Sequence, residues 1–322
     1  MQRVRFDGFG GNDVVRLESL EDPRPGDEQV LIAAPYAGVN PLDVLQRNGQ
    51  YPVPHGASPE LPGVEVGGTI VAIGGRVTRW RPGDRVMGLV TEGGLASRVL
   101  AHQDHLLAVP DDVSDLAAAT LPEAVITAFD ALWRGRTRTK DVVLVRGVNG
   151  GVGIASYRIA ESMGAMTFGI VRSSNTKQIL RTYGITACLE DECSDALVEF
   201  GGASVIVDLV GGEYIDDDLR LLAPGGRIVA VSIAAGAHAK VPLDLLMSKR
   251  ADLMGTVLRP RSISEKAKLI MEVERSVGPL IRSGALTLPV EQVFPAGRVA
   301  DAFDHLQLPG KVGKVVLEFS AG

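Results

Sequence analysis

Cysteine is nearly absent. The 322 residues contain two, Cys188 and Cys193, too few for a disulfide framework or a four-thiolate zinc site, and the expectation is a reduced, cytoplasmic protein. Aromatic residues are scarce, at 5%, and nowhere interleave with a block of Arg or Lys, which counts against a surface for nucleic acid. Positive charge is in deficit: 33 Lys and Arg face 39 Asp and Glu, a net charge of −6, so no global basic field exists. No uncharged apolar run reaches the ~18 residues that a membrane span needs. The opening Met1-Gln2-Arg3-Val4-Arg5-Phe6-Asp7 meets charge before a signal-peptide core can form.

Glycine is what the chain has in excess. It supplies 38 of the 322 residues, well above the usual ~7%. With 18 prolines and no repeat or low-complexity tract, the surplus signals sharp turns or places where backbone closely approaches something else. At ~150 residues per domain, the length suggests two domains.

Two textures support that division. Residues 1–110 carry short β-branched runs, such as Val30-Leu31-Ile32 and Gly68-Thr69-Ile70-Val71-Ala72-Ile73. Gly, Pro and Asp punctuation bounds each run, which predicts a compact, barrel-like β domain. Near Pro110 the texture changes. Leu116 to Trp133 is Ala-rich with helical period and a break expected at Pro122. Strand and helix then alternate: Val142-Val143-Leu144-Val145, a helix over Ile154 to Met163, Met166 to Val171, a helix over Lys177 to Tyr183, then Val205 to Asp208 and Ile228 to Val231 around a helix from Glu213 to Leu222. This alternation predicts a parallel sheet covered on both faces. The apolar terminal run Val315-Val316-Leu317-Glu318-Phe319 needs a sheet and is expected to return to the first domain.

The strongest local signal is Val142-Val143-Leu144-Val145-Arg146-Gly147-Val148-Asn149-Gly150-Gly151-Val152-Gly153. A buried strand enters a glycine loop that opens a helix, whose free N–H groups and positive dipole end suit a pyrophosphate. Gly150, Gly151, Val152 and Gly153 are therefore candidate cofactor ligands, although Ser156 stands where a strict G-x-G-x-x-G would end. The second strand ends in Arg172-Ser173-Ser174-Asn175-Thr176-Lys177, with no acid to hold a ribose 2′-hydroxyl. Arg172, Ser173 and Lys177 instead suit a 2′-phosphate and predict NADPH; the other reading is a solvated basic loop.

Further stretches complete a pattern: Gly38-Val39-Asn40-Pro41-Leu42-Asp43, Gly49-Gln50-Tyr51-Pro52, Pro62-Gly63-Val64-Glu65-Val66-Gly67-Gly68, Leu121-Pro122-Glu123-Ala124, Leu222-Ala223-Pro224-Gly225-Gly226-Arg227, Leu258-Arg259-Pro260-Arg261-Ser262 and Gly313-Lys314-Val315-Val316-Leu317. In this order, over essentially the whole chain, they resemble the zinc-free medium-chain dehydrogenase/reductases, in the quinone oxidoreductase (zeta-crystallin-like) family. The resemblance implies an α/β fold in which a GroES-like β-barrel catalytic domain (residues 1–122, returning at 261–322) is interrupted by a Rossmann domain with a doubly wound parallel sheet (123–260). It also implies NADPH and a homodimer, for which the apolar run Ala251 to Val257 is the candidate pairing edge. No metal is expected. The family's Gly-His-Glu is Gly63-Val64-Glu65 here, the first Cys position is Asn40, and the five histidines show no ligand spacing with either cysteine. Where the family has a Tyr after the third strand, this chain has Asp191.

Without a Lewis acid, alcohol oxidation is disfavoured. A quinone or an α,β-unsaturated carbonyl needs only a hydride, a proton and a donor for the developing oxyanion. Tyr51 is the candidate donor, its other reading being an aromatic wall of the substrate site. Asn40 is the second candidate catalytic residue, placed to orient the nicotinamide. Thr127 and Ile233 are expected beside the cofactor. The expected enzyme is an NADPH-dependent quinone or enone reductase. The alternatives are an enoyl-thioester reductase acting on CoA or carrier-protein substrates, and a non-catalytic NADPH-binding protein of crystallin or RNA-binding type.

Overall fold

The computed structural model describes residues 1–319, and contacts divide the chain into two compact units. One comprises Met1–Glu123, Leu258–Pro309 and the chain from Gly313; the other comprises Ala124–Val257 with Gly310–Val312.

The first unit is built from three sheets. The largest has five antiparallel strands in the order Arg98–His102, Gln29–Ala33, Glu65–Ile73, Arg85–Leu89 and Leu106–Ala108. Val30, Ile32, Ile70, Val86 and Leu106 meet in one apolar cluster. Gly68 lets neighbouring backbones close: a Cβ there would lie 2.0 Å from the Ala33 carbonyl oxygen. The terminal strand Lys314–Glu318 does return to this unit. It pairs antiparallel with Tyr36–Val39 and parallel with Val290–Pro295, and Leu317 packs into a cluster with Phe6, Val39 and Phe303.

The second unit carries six parallel strands: β1 (Val142–Arg146), β2 (Met166–Val171), β3 (Ala187–Leu189), β4 (Ala203–Asp208), β5 (Leu222–Ala230) and β6 (Asp252–Gly255). Their spatial order is 3-2-1-4-5-6. Every residue of β1 is buried, as a central strand covered on both faces requires. Helices α1 (Gly151–Ser162), α2 (Ser174–Thr182) and α3 (Tyr214–Leu221) serve as crossovers. α1 and α2 each start three residues before the sequence pattern indicates. In α1 the added residues are the helical Gly151-Val152-Gly153, and in α2 Ser173 caps the earlier start by accepting from the Thr176 amide.

The helical stretch is interrupted next to Pro122, as expected: a short helix, Asp115–Ala118, ends before a second, Leu121–Arg134, begins. Pro122 is the second residue of that second helix, where proline is tolerated because first-turn N–H groups have no helical acceptor. The cysteines, in contrast to the expectation, are not free thiols. β3 ends at Leu189, and a single turn brings Cys193 back to form a disulfide with Cys188 across a Cα separation of 5.6 Å. Among the described residues, no helix is long and apolar enough to cross a membrane.

Candidate active site

In the second unit, the carboxyl ends of the parallel strands collect most of the expected cofactor residues. The glycine loop follows β1, with Gly147 in the left-handed region at φ +77°. Gly150 is the N-cap of α1, so the N–H groups of Gly151, Val152 and Gly153 lie in the first turn without helical acceptors. The two outer glycines of this run are required for different reasons. A Cβ on Gly153 would sit 2.6 Å from the Gly147 carbonyl oxygen and 2.6 Å from Val148 Cα, so this glycine lets loop and helix touch. A Cβ on Gly150 would meet nothing nearer than 4.0 Å. Space that the protein leaves open beside first-turn N–H donors fits a pyrophosphate.

Arg172 and Ser173 follow β2, both exposed. The Ser173 hydroxyl caps α2 and bonds the Thr176 hydroxyl at 2.8 Å. Lys177, in the first turn of α2, pairs with Glu192 at 2.5 Å. The acid that reaches this lysine is therefore Glu192 and not Asp191. Ile233 follows β5 and is 45% exposed. Thr127 lies on the helix Leu121–Arg134, buried. Three residues on, Asp130 accepts from the hydroxyl of Thr256, whose amide bonds the Ala230 carbonyl at the end of β5.

Arg146, which no sequence pattern explained, turns out to organise this edge. It is 2% exposed and donates to Asp218 on α3 at 2.7 Å and to both oxygens of Glu190, just after β3, at 2.7 Å. Its guanidinium also faces the Tyr214 ring at 4.9 Å. Burial pushes the Asp218 carboxyl up, against the pull of Arg146. One buried cation thus ties the glycine-loop strand to the turn after β3 and to α3. An Arg ending an otherwise apolar strand was the available signal, and its acidic partners were 44 and 72 residues away.

The first unit holds the other candidates. Asn40 is 2% exposed, and its amide is engaged at both ends: Nδ2 donates to Glu65 Oε1 at 2.8 Å, and Oδ1 accepts from Lys314 Nζ. Lys314 also donates to Glu65 at 2.8 Å, and the second Glu65 oxygen accepts the Glu123 amide at 3.0 Å. The structure thus seats Asn40 in a buried charged network. Asp43, fully buried, accepts the amides of Asn40 at 2.9 Å and Gly63 at 2.8 Å. Burial pushes its carboxyl up to about 6, with both amides opposing.

Tyr51 is half-buried, and its hydroxyl makes no hydrogen bond within the described residues. Burial raises its phenol above the ordinary value, with the Arg259 charge pulling the other way. Arg259 stands 5.6 Å from the Tyr51 ring centroid. It donates to the Thr91 carbonyl at 2.8 Å and to Gln46 at 2.6 Å, while its buried Nη2 has no partner among the described residues. From sequence Arg259 reads either as a cofactor contact or as a solvated loop residue; its place beside Tyr51 joins positions more than 200 residues apart. Among the described residues, no three His, Cys, Asp or Glu side chains gather as a metal site.

Comparison with known proteins adds a lineage to this geometry. The family described as Zinc-binding dehydrogenase matches residues 151–273, and that described as Alcohol dehydrogenase GroES-like domain matches residues 26–111. Quinone oxidoreductase of Mus musculus is 30% identical over 98% of this chain and 97% of its own. Among solved structures, the CurK enoyl reductase has a TM-score of 0.86 at 26% identity, covering 99% of both chains. The quinone oxidoreductase from Coxiella burnetii has a TM-score of 0.81 at 26% identity, again over 99% of both chains.

Proposed function

Because the chain belongs to the zinc-independent quinone oxidoreductase family of the medium-chain dehydrogenase/reductases, we propose that it reduces a quinone or an α,β-unsaturated carbonyl with NADPH. The observation that carries this reading is the pairing of Tyr51 with Arg259. A phenol kept protonated beside a buried guanidinium with an unmet N–H offers two donors to an oxygen that gains negative charge. The chemistry supplied by a bound reduced nicotinamide is hydride donation. The residues that fit that cofactor are Gly150, Gly151, Val152 and Gly153 for the pyrophosphate, Arg172, Ser173 and Lys177 for a 2′-phosphate, and Thr127 and Ile233 for the nicotinamide side. Tyr51 donates to the enolate or phenolate oxygen as it forms, and a proton then completes the product, at the α-carbon to give the saturated carbonyl from an enone, or on oxygen to give the hydroquinone from a quinone. Asn40, held by Glu65 and Lys314, acts as a positioning residue.

The donor set supports zinc independence. Asn40 and Val64 replace two ligands, and Lys314 already places an ammonium against Glu65, where a second cation would be repelled. A second reading, reduction of an enoyl thioester, is favoured by the similarity to the CurK enoyl reductase.

NADPH oxidation measured across quinones, enones and enoyl thioesters separates these readings. Tyr51→Phe is expected to lower kcat with the preferred enone by about a hundredfold to a thousandfold, within the range of general acid and oxyanion contributions, while NADPH affinity stays constant. Unchanged enone turnover would remove Tyr51 as the donor. Tight NADPH binding with no turnover of any acceptor would favour a non-catalytic role.

We also propose a homodimer formed through β6, one of the two edge strands of the six-stranded sheet. Leu253 on this strand is 39% exposed; an edge strand that presents an apolar residue in this way invites antiparallel pairing with a second copy. Light scattering at micromolar concentration should give about twice the 34.0 kDa chain mass, and a monomer would overturn the proposal.

A further inference from the structure

The turn after β3 is fastened at three points. The Cys188–Cys193 disulfide brackets it, the Leu189 amide donates to Glu192 Oε2 at 2.9 Å, and Arg146 grips both oxygens of Glu190. Fixed in this way, Glu192 meets Lys177 at 2.5 Å, with the two side chains 44% and 40% exposed. Lys177 is one of the cations that the 2′-phosphate of NADPH would use. Arg172 and Ser173 lie immediately before the same helix.

We infer that Glu192 is a selectivity residue: its carboxylate competes with the cofactor's 2′-phosphate for Lys177 and holds NADPH affinity below what Arg172 and Lys177 would otherwise give. This deepens the NADPH reading and rests on it. An incoming phosphate has two options. It can share the ammonium with a carboxylate at hydrogen-bond distance, which sets two anions against each other. Otherwise it must displace Glu192, which breaks the bonds to both Lys177 and Leu189. The Lys177 hydrogen bond holds Glu192 below the ordinary carboxylate range, so Glu192 is an anion throughout the neutral region. NADH, with a ribose hydroxyl in place of the phosphate, does not need Lys177 and escapes the competition.

Dissociation constants for NADPH, NADH, adenosine 2′,5′-bisphosphate and AMP test the inference without any turnover. Glu192→Gln is expected to tighten NADPH and the bisphosphate by about threefold to tenfold, as suits a half-exposed charge contact. NADH and AMP should change by less than about twofold, and the gain should shrink as salt screens the pair. Lys177→Gln should weaken NADPH, and adding Glu192→Gln to it should restore nothing. If Glu192→Gln leaves NADPH affinity unchanged while Lys177→Gln weakens it, the role of Glu192 is overturned and the NADPH reading survives. If Glu192→Gln instead weakens NADH, Glu192 serves the ribose hydroxyl and the inference is also overturned. If the native protein binds NADH as well as NADPH and Lys177→Gln changes neither, the NADPH reading itself falls.

Discussion

Gly153→Ala is expected to abolish measurable binding of the nicotinamide cofactor and to destabilise the second unit, whereas Gly150→Ala should impair binding alone. The difference lies in what each new Cβ meets. At Gly153 it lies 2.6 Å from the Gly147 carbonyl oxygen, 2.6 Å from Val148 Cα and 2.7 Å from Val148 C. All three are backbone atoms, so no side chain can rotate away and the whole loop must shift off the helix. Overpacking of this kind costs about 1–3 kcal/mol in stability. It also moves the first-turn N–H groups away from where a pyrophosphate would accept from them, so cofactor affinity falls with stability. At Gly150 the nearest atom is 4.0 Å away, so the methyl is tolerated by the fold and obstructs only a ligand. Cofactor titration beside thermal unfolding should therefore show loss of both properties for Gly153→Ala and of affinity alone for Gly150→Ala. Native-like cofactor affinity in Gly150→Ala would contradict the assignment of that open space to the pyrophosphate.

The glycine loop was legible in the sequence because its structure is local: strand, turn and helix start are consecutive, and each has its own residue signature. The β-rich first unit and the alternating second unit were legible for the same reason, through period and punctuation. What stayed hidden depends on partners far apart in the chain. Arg146 could be seen as an odd residue, but its meaning needs Glu190 and Asp218. Lys314 and Glu65 each open an apolar strand, and together they imply a buried pair, yet they are 249 residues apart. The Lys177–Glu192 contact required knowing that the turn after β3 folds back toward α2. The disulfide was hidden because five residues separate the cysteines, and only a tight turn makes that spacing bondable. Much of the glycine surplus likewise reports close approach across sheets, as at Gly68, which no local pattern reveals.

The buried network around Lys314 carries the second large effect. Lys314→Met is expected to lower the unfolding free energy of the first unit by about 3–5 kcal/mol, the cost of breaking a buried ion pair by removing one partner. Lys314 and Glu65 have side-chain exposures of 4% and 0%. The variant therefore leaves a carboxylate without a counter-ion in the interior, with only the Asn40 side chain and the Glu123 amide to satisfy it. Glu65→Gln combined with Lys314→Met should recover part of the loss, because it removes the stranded charge as well. Burial works against the Lys314 charge, but Glu65 and Glu123 outweigh it and raise its pKa in the folded state. The stabilisation is thus fully present below the ordinary lysine value of about 10.4 and is lost as pH rises through the higher folded-state value. Urea unfolding at neutral pH should show the full difference between native and Lys314→Met protein, and the two curves should converge only in strong alkali. A neutral-pH difference below about 1 kcal/mol, the range of a surface pair, would mean that the network does not act as a buried one. The same substitution frees Asn40 Oδ1 from its partner, so enone turnover should fall, while cofactor affinity stays unchanged if, as proposed, it is set by residues of the second unit.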